Sequence, residues 1–190
     1  MPIPRNWSEE LVSEWLSLSG YLVESNLPLS TGGAGGRNEA DIVGVRIKAV
    51  NTERRSLEIH HVEIGSLSNG RIKNIETLNK KFSDNRVKII KDRYIKLFRA
   101  DKVVEYKKVY VDTWATNKKV ETIKLDKKIR KQQIELWTMA ALFQEVFKTI
   151  KEEQWEPGYQ VKNRKTRTLP ECHWMLKLIE ALRGAKYISI

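Results

Sequence analysis

Two hydrophobic stretches near the middle of the chain carry the pattern of neighbouring β-strands. Residues 40–50 and 56–66 are dominated by Val, Ile and small residues, and the polar sequence NTERR separates them. β-branched residues favour strands, and a short polar break favours a turn. We therefore expect the two strands to form a hairpin.

The segments around this hairpin show helical periodicity or further strand character. In the first helix, Asn6 or Ser8 is expected to act as the N-cap and Gly20 to end the helix. The face of this helix predicted to pack on the sheet consists of Trp7, Leu11, Trp15, Leu18 and Leu22. Further strands are predicted at residues 21–29, 103–115 and 134–137, and further helices at residues 71–82, 86–98, 138–154 and 170–184. This βαβ rhythm favours an α/β sandwich.

Composition narrows the class of protein. The chain has 190 residues, 41% of them hydrophobic and 31% charged, which suits one soluble globular domain. No apolar run is long enough to span a bilayer, and the N-terminal sequence lacks the apolar core of a signal peptide. Cys172 is the only cysteine, so an internal disulfide is excluded. We expect a cytoplasmic protein with no membrane partner.

The charge balance favours a polyanionic partner. Lys and Arg number 35 against 24 Asp and Glu, which gives a formal net charge of +11, and nucleic acid is the first expectation. The alternative is that the chain is a ribosome-associated protein or merely a protein of alkaline pI. The candidate nucleic-acid-binding residues are Arg37, Lys118, Lys119, Lys162, Arg164, Lys165 and Arg167.

Each strand of the predicted hairpin carries one acid, Asp41 on the first and Glu63 on the second. Because side chains alternate between the two faces of a strand, His61, Glu63 and Gly65 share one face. A carboxylate among apolar neighbours must bind a cation, carry a proton or lie in water at a strand end. Two carboxylates that converge at one end of a sheet make a plausible Mg²⁺ site. The alternative is that both acids flank strand ends in solvent, and that His61 is an ordinary hydrogen-bonded strand residue.

Several short motifs together resemble the PD-(D/E)XK nuclease superfamily, which includes Holliday-junction resolvases and many restriction endonucleases. They are an early helix with Glu, a Gly-Tyr pair leading into a strand, a Gly-rich loop, the sequence NEADIVG and a second acid one hairpin later. The resemblance covers residues 7–115 and leaves 116–190 as a C-terminal extension with further helices. It implies a restriction-endonuclease-like αβββαβ core with a mixed sheet flanked by helices. It also implies cleavage of DNA that depends on Mg²⁺ or Mn²⁺, and a homodimer.

The same resemblance suggests roles for individual residues. Asp41 and Glu63 match the two motif acids and would bind the metal ion, with the carbonyl of Ile64 as a further ligand. A glutamate of the first helix would assist, and Glu10 is the candidate that we assign. Periodicity does not decide between Glu10 and its neighbours Glu9 and Glu14.

One position departs from the family pattern, because the motif lysine should stand two residues after Glu63 and position 65 is Gly. We expect a cation from the next helix to take its place. We predict that Arg71 and Asn79 border its buried stripe, and that Lys73 and Lys80 point away. The residues predicted to form that stripe are Ile72, Ile75, Leu78 and Phe82. Arg71 is therefore the predicted replacement cation, and a solvated surface arginine is the alternative.

The missing lysine also leaves two other functions open. One is a DNA-binding module that kept the fold and lost cleavage, and the other is a subunit of a larger complex.

Overall fold

The computed structural model describes residues 6–29, 38–49, 55–114, 123, 127–152, 155–156, 167–168 and 173–184. The helices of this part of the chain are α1 (Trp7–Leu18), α2 (Arg71–Lys81), α3 (Asp84–Phe98), α4 (Lys127–Gln132), α5 (Met139–Glu152) and α6 (Trp174–Gly184). The strands are β1 (Leu22–Pro28), β2 (Glu39–Ala49), β3 (Arg55–Gly65), β4 (Lys102–Asp112), β5 (Ile134–Thr138), β6 (Trp155–Glu156) and β7 (Arg167–Thr168).

The main sheet has five strands in the order β1-β2-β3-β4-β5. Strand β2 is antiparallel to both β1 and β3, which confirms the predicted hairpin. Strands β3, β4 and β5 run parallel to one another, and β6 pairs with β7 in a separate two-stranded sheet. The fold is therefore a mixed five-stranded sheet with flanking helices, which confirms the α/β class that the hydrophobic pattern predicted.

Helices cover both faces of the sheet, because successive residues of its inner strands are apolar on both sides. On one face, Ile42 and Val62 pack with residues of α1, α5 and α6. On the other face, Val43 and Ile59 pack against α3, while α2 and α4 enclose Tyr110 of β4. The side chains of β2 and β3 that face α2 and α3 include those of the candidate site.

Local signals explain where α1 begins and ends. The side chain of Asn6 accepts hydrogen bonds from the backbone N–H groups of Ser8 and Glu9, at 3.1 and 3.0 Å, so Asn6 is the N-cap. The helix ends at Leu18, and Gly20 follows with a φ of +81°, a conformation that favours glycine. Both ends agree with the predicted signals.

Some residues predicted to be buried are exposed. Trp7 is 50% exposed at the start of α1, and Leu22 lies in β1 rather than on the helix. Ile72 is 75% exposed, while Asn74 is buried, so the packed stripe of α2 is rotated toward Asn74. The apolar spacing of α6 also predicts that Trp174 and Leu178 pack inward, but they are 53% and 46% exposed. Apolar spacing alone therefore does not decide which of these side chains are buried.

Within the part of the chain that the structure describes, no helix has both the length and the apolar character that a membrane span requires.

Candidate functional site

The two acids of the hairpin lie side by side at the end of the β2–β3 ladder. The last backbone pair of that ladder joins Ile42 to Val62. Asp41 precedes Ile42 and Glu63 follows Val62, so both side chains emerge on the same face. The Oδ2 atom of Asp41 accepts a hydrogen bond from the backbone N–H of Ile64 at 2.8 Å. This bond fixes the carboxylate of Asp41 at the strand end.

A lysine from the end of α2 contacts both carboxylates. The Nζ atom of Lys81 donates to Oε2 of Glu63 and lies 3.5 Å from both carboxylate oxygens of Asp41. The Glu63 side chain is completely buried, whereas the side chains of Asp41 and Lys81 are 14% and 29% exposed. Solvent, and any ligand, therefore reaches the site from the side of Asp41 and Lys81.

A buried arginine from the first turn of α3 completes the charge balance. Arg86 Nη2 lies 3.3 Å from Oε1 of Glu63 and also donates to the backbone carbonyl of Glu39. Only Phe82 and Ser83 separate α2 from α3, so one short connection brings both cations to the site. Two carboxylates thus face two cations, which is what buried charge requires.

Glu63 is also part of a hydrogen-bonded chain with a neutral histidine and a tyrosine. His61 Nε2 lies 2.8 Å from Oε1 of Glu63, and the hydroxyl of Tyr106 lies 3.1 Å from His61 Nδ1. Burial, with Arg86 nearby, lowers the pKa of His61 to about 3. A neutral ring beside an ionised Glu63 satisfies both contacts when Nε2–H donates to Glu63 and Nδ1 accepts from Tyr106. His61 therefore bonds the carboxylate of Glu63.

Burial and the closeness of the two carboxylates shift the pKa values of the site residues. Burial and the charge of Glu63 raise the pKa of Asp41 to about 6. Burial also raises the pKa of Glu63, while Lys81 and Arg86 oppose that shift. Although burial favours the neutral amine, the Glu63 and Asp41 carboxylates raise the pKa of Lys81. A nearby positive charge therefore stabilises the ionised form of both acids.

The donor set of Asp41 and Glu63 fits a hard divalent cation such as Mg²⁺ or Mn²⁺, because both ions favour carboxylate oxygens. The ammonium of Lys81, which contacts both side chains, already acts as a cation between them. Within the described ranges, however, no three His, Cys, Asp or Glu side chains gather as a metal-binding group. A metal ion here would have two protein carboxylates and would complete its coordination with water or substrate oxygens.

The first-helix glutamates do not join this pair. Glu9 is buried, and its Oε1 accepts from the side-chain amide of Asn6 at 2.9 Å. Glu14 accepts from the backbone N–H groups of Met175 and Leu176 and so caps the start of α6. Glu10 is half-buried in the first turn of α1. The structure thus gives Glu9 and Glu14 structural roles and does not group Glu10 with Asp41 and Glu63.

The predicted replacement cation was placed at the wrong end of its helix. Arg71 is the exposed first residue of α2, about 15 Å along the helix from Lys81 at 1.5 Å per residue. The prediction took Ile72 as buried, and this rotated the expected face away from Lys81. Lys81 follows the buried Asn74 and Leu78 by seven and three positions, a helical spacing that the sequence did contain.

Position 65 has no room for the motif lysine. A Cβ atom built on Gly65 would lie 2.8 Å from the hydroxyl oxygen of Tyr110, which is closer than real Cβ contacts. Tyr110 is buried, so its ring has little freedom to withdraw. The neighbouring Ile64 is half-buried and binds Asp41 through its N–H. Whether its carbonyl would be a metal ligand stays a prediction.

Most of the candidate nucleic-acid-binding residues, Arg37, Lys118, Lys119, Lys162, Arg164 and Lys165, lie outside the described residues. Arg167 belongs to β7. The sequence pattern did not identify Arg86 or Tyr106 as site residues, because their burial depends on contacts between distant elements.

No family model, no curated protein and no solved structure matches this chain.

Proposed function

We propose that this protein is a metal-dependent nuclease that hydrolyses phosphodiester bonds of DNA, with a restriction-endonuclease-like core. The observation that carries the proposal is the contact of Lys81 with the carboxylates of both Asp41 and Glu63. These are the two acids and the cation of the resembled motif, with the cation supplied from α2 in place of residue 65. The element order α1-β1-β2-β3-α2-α3-β4 also agrees with the implied core, with one additional helix.

Each residue of the site has its own role in the proposed hydrolysis. Asp41 and Glu63 would hold Mg²⁺, which supplies Lewis-acid activation of the phosphate and a lower pKa for a bound water. In the reaction, a water oxygen forms a bond to phosphorus as the bridging P–O bond opposite it breaks. The proton that the attacking water releases passes to solvent. The departing oxygen takes a proton from solvent.

Lys81 acts as an electrostatic stabiliser in this proposal and not as a base. Its raised pKa keeps the ammonium charged at neutral pH, and its partial exposure places the charge where a phosphate would arrive. A positioned cation stabilises the extra negative charge of the pentacovalent transition state. Arg86 and His61 act through Glu63, since both contact its Oε1 atom, and so they are positioning residues.

A second candidate function is supported by the same ion network. Both carboxylates already have cationic protein partners, so the network is balanced without a metal ion. In a DNA-binding module that lost cleavage, Lys81 would replace the metal permanently. The net charge of +11 supports nucleic-acid binding in either case.

The test is cleavage of supercoiled, linear and branched DNA with Mg²⁺, Mn²⁺ or EDTA, comparing the wild type with Asp41→Asn and Glu63→Gln. These variants keep the shape of each side chain and remove its charge. Metal-dependent cleavage that both variants lose supports the nuclease. Salt-sensitive DNA binding with no cleavage under any condition supports the module instead. The homodimer stays a prediction, which the mass of the free and DNA-bound protein in light scattering would test.

A further inference from the structure

A cleft of about 490 Å³ opens at the end of the sheet that carries the acid pair, although Asp41, Glu63 and Lys81 do not line it. It lies where β3 and β4 end and where α1 and α5 begin, and its lining includes Ile64, Gly65, Trp7 and Trp114. Ligands of sheets with parallel strands commonly bind beyond the carboxyl ends of the strands. The volume is in the range of pockets that hold small molecules or single groups of larger ones.

Ile64 is the link between the cleft and the acid pair, because one residue belongs to both surroundings. Ile64 lines the cleft, and its backbone N–H lies 2.8 Å from Oδ2 of Asp41. Glu63 immediately precedes it in β3. A nucleic acid whose phosphate is held at Asp41 and Lys81 would reach this cleft by passing around the end of β3.

Two tryptophans present exposed indole rings at the cleft. Trp114 is 84% exposed and Trp7 is 50% exposed, although large aromatic side chains are normally well buried. The exposure of Trp114 does not come from a loose backbone. Its N–H donates to Oδ1 of Asp112 at 2.9 Å, and the N–H of Thr113 donates to the carbonyl of Gly65 at 2.9 Å.

The anchor for Trp114 is itself well fixed. Asp112 is buried, and its other carboxylate oxygen accepts from the N–H of Leu67 at 3.1 Å. One carboxylate thus joins the end of β4 to the segment that follows β3. An indole held in solvent on an anchored backbone is the arrangement of a stacking platform, because its apolar face is available at little entropic cost.

We propose that this cleft receives an unpaired nucleobase, which stacks on Trp114 and Trp7 beside the bond that the acid pair cleaves. The substrate class is therefore nucleic acid with single-stranded nucleotides at the cleavage position. This inference rests on the proposed function. A base is favoured over a protein side chain because the cleft adjoins a carboxylate and lysine site that suits a phosphodiester, on a chain of net charge +11. A base in a duplex has its faces covered by its neighbours and cannot offer one to an indole.

Binding without metal tests this inference separately from cleavage. The full chain in EDTA is titrated with oligothymidylate of about 12 nucleotides, with an abasic strand of equal length and with the corresponding duplex. Trp114→Ala and Trp7→Ala are compared with Trp174→Ala, which removes a half-exposed tryptophan of α6 that does not line the cleft. Thermal unfolding of each variant verifies that it is folded.

We expect oligothymidylate to quench tryptophan fluorescence and to bind more tightly than the abasic strand. Trp114→Ala should weaken binding of oligothymidylate by roughly 5- to 100-fold, with no change for the abasic strand or for Trp174→Ala. Trp114→Phe should recover part of the affinity, because phenylalanine still stacks.

Equal affinity of folded Trp114→Ala and wild type for oligothymidylate would overturn the inference, and so would equal losses on the abasic strand. A stronger preference for duplex over single strand would overturn it as well. Cleavage that persists alongside such results would leave the nuclease proposal standing. Base-dependent binding without cleavage would support the cleft and reject the nuclease.

Discussion

The hydroxyl of Tyr110 occupies the space that a side chain at Gly65 would need, since a Cβ atom there would lie 2.8 Å from its oxygen. Position 65 is where the resembled motif has its lysine. Lys81 contacts both acids from the end of α2. In the proposed nuclease, Lys81 would therefore take the role of the lysine that position 65 cannot hold.

The crowding at Gly65 predicts coupled effects of two substitutions. Gly65→Ala should lower the free energy of unfolding by about 1–3 kcal/mol, the usual cost of over-packing. In a Tyr110→Phe background the same change should cost less, because the hydroxyl that meets the new methyl group is gone. Chemical denaturation of the wild type, both single variants and the double variant measures this coupling. Strictly additive effects would show that Tyr110 is not the obstacle.

Asp41 should make the fold less stable at neutral pH. Its pKa is raised to about 6 in the folded protein, so between about pH 4 and 6 the folded state retains a proton that the unfolded state has lost. The stability contributed by protonated Asp41 is thus present at low pH and lost as the pH rises through 6. The loss is up to about 3 kcal/mol above that pH.

Asp41→Asn tests this linkage, because the amide oxygen can still accept the N–H of Ile64. The variant should unfold at a higher temperature than the wild type at about pH 7.5, and the difference should shrink toward pH 4. Lower stability of the variant at about pH 7.5 would mean that the attraction to Lys81 outweighs the cost of burial.

His61 should stay neutral across the physiological range. Burial lowers its pKa to about 3, and its contacts with Glu63 and Tyr106 fix the proton on Nε2. Nitrogen NMR of the imidazole should show this tautomer unchanged from about pH 5 to 8. Tyr106→Phe should remove the donor to Nδ1 and destabilise the fold by about 1–3 kcal/mol, the cost of an unsatisfied buried acceptor. Titration of His61 near its ordinary pKa would contradict this description of the site.

Lys81 should compete with a divalent metal ion for the two carboxylates. Lys81→Met leaves Asp41 and Glu63 with less compensating charge, so Mg²⁺ should raise the unfolding temperature of this variant more than that of the wild type. Lys80→Met is the matched control, because Lys80 is the exposed neighbour on the same helix. Equal effects of Mg²⁺ on the wild type and on both variants would argue against a metal site between the acids.

The sequence predicted the hairpin acids well because strand alternation depends on local pattern alone. Asp41 and Glu63 come together through the register of β2 and β3, and His61 shares their face for the same reason. The α/β class follows from similar local patterns. The helical contributions were harder to predict, because a face defined by apolar spacing is ambiguous when Ile72 is exposed and the polar Asn74 is buried.

Asn74 is buried because its side chain donates to the backbone carbonyls of Leu67 and Asn69, at 3.0 and 2.8 Å. No periodicity reveals such bonds. Arg86 resembled a solvated charge at a helix start for the same reason, since its burial depends on Glu63, 23 positions earlier in the chain. The positions of the two cations of the site thus depend on tertiary hydrogen bonds, whereas the positions of its two acids follow from backbone register.

Cleavage by Lys81→Met compared with Lys80→Met tests the central claim most directly. The two variants remove one ammonium each from adjacent positions of α2, and only Lys81 contacts Asp41 and Glu63. Under single-turnover conditions with Mg²⁺, we expect Lys81→Met to lose about 10²- to 10³-fold in cleavage rate, the usual cost of one stabilising group. Lys80→Met should cleave as the wild type does. Equal rates for the two folded variants, or a wild type that cleaves nothing, would contradict the assignment of Asp41, Glu63 and Lys81 as a nuclease site.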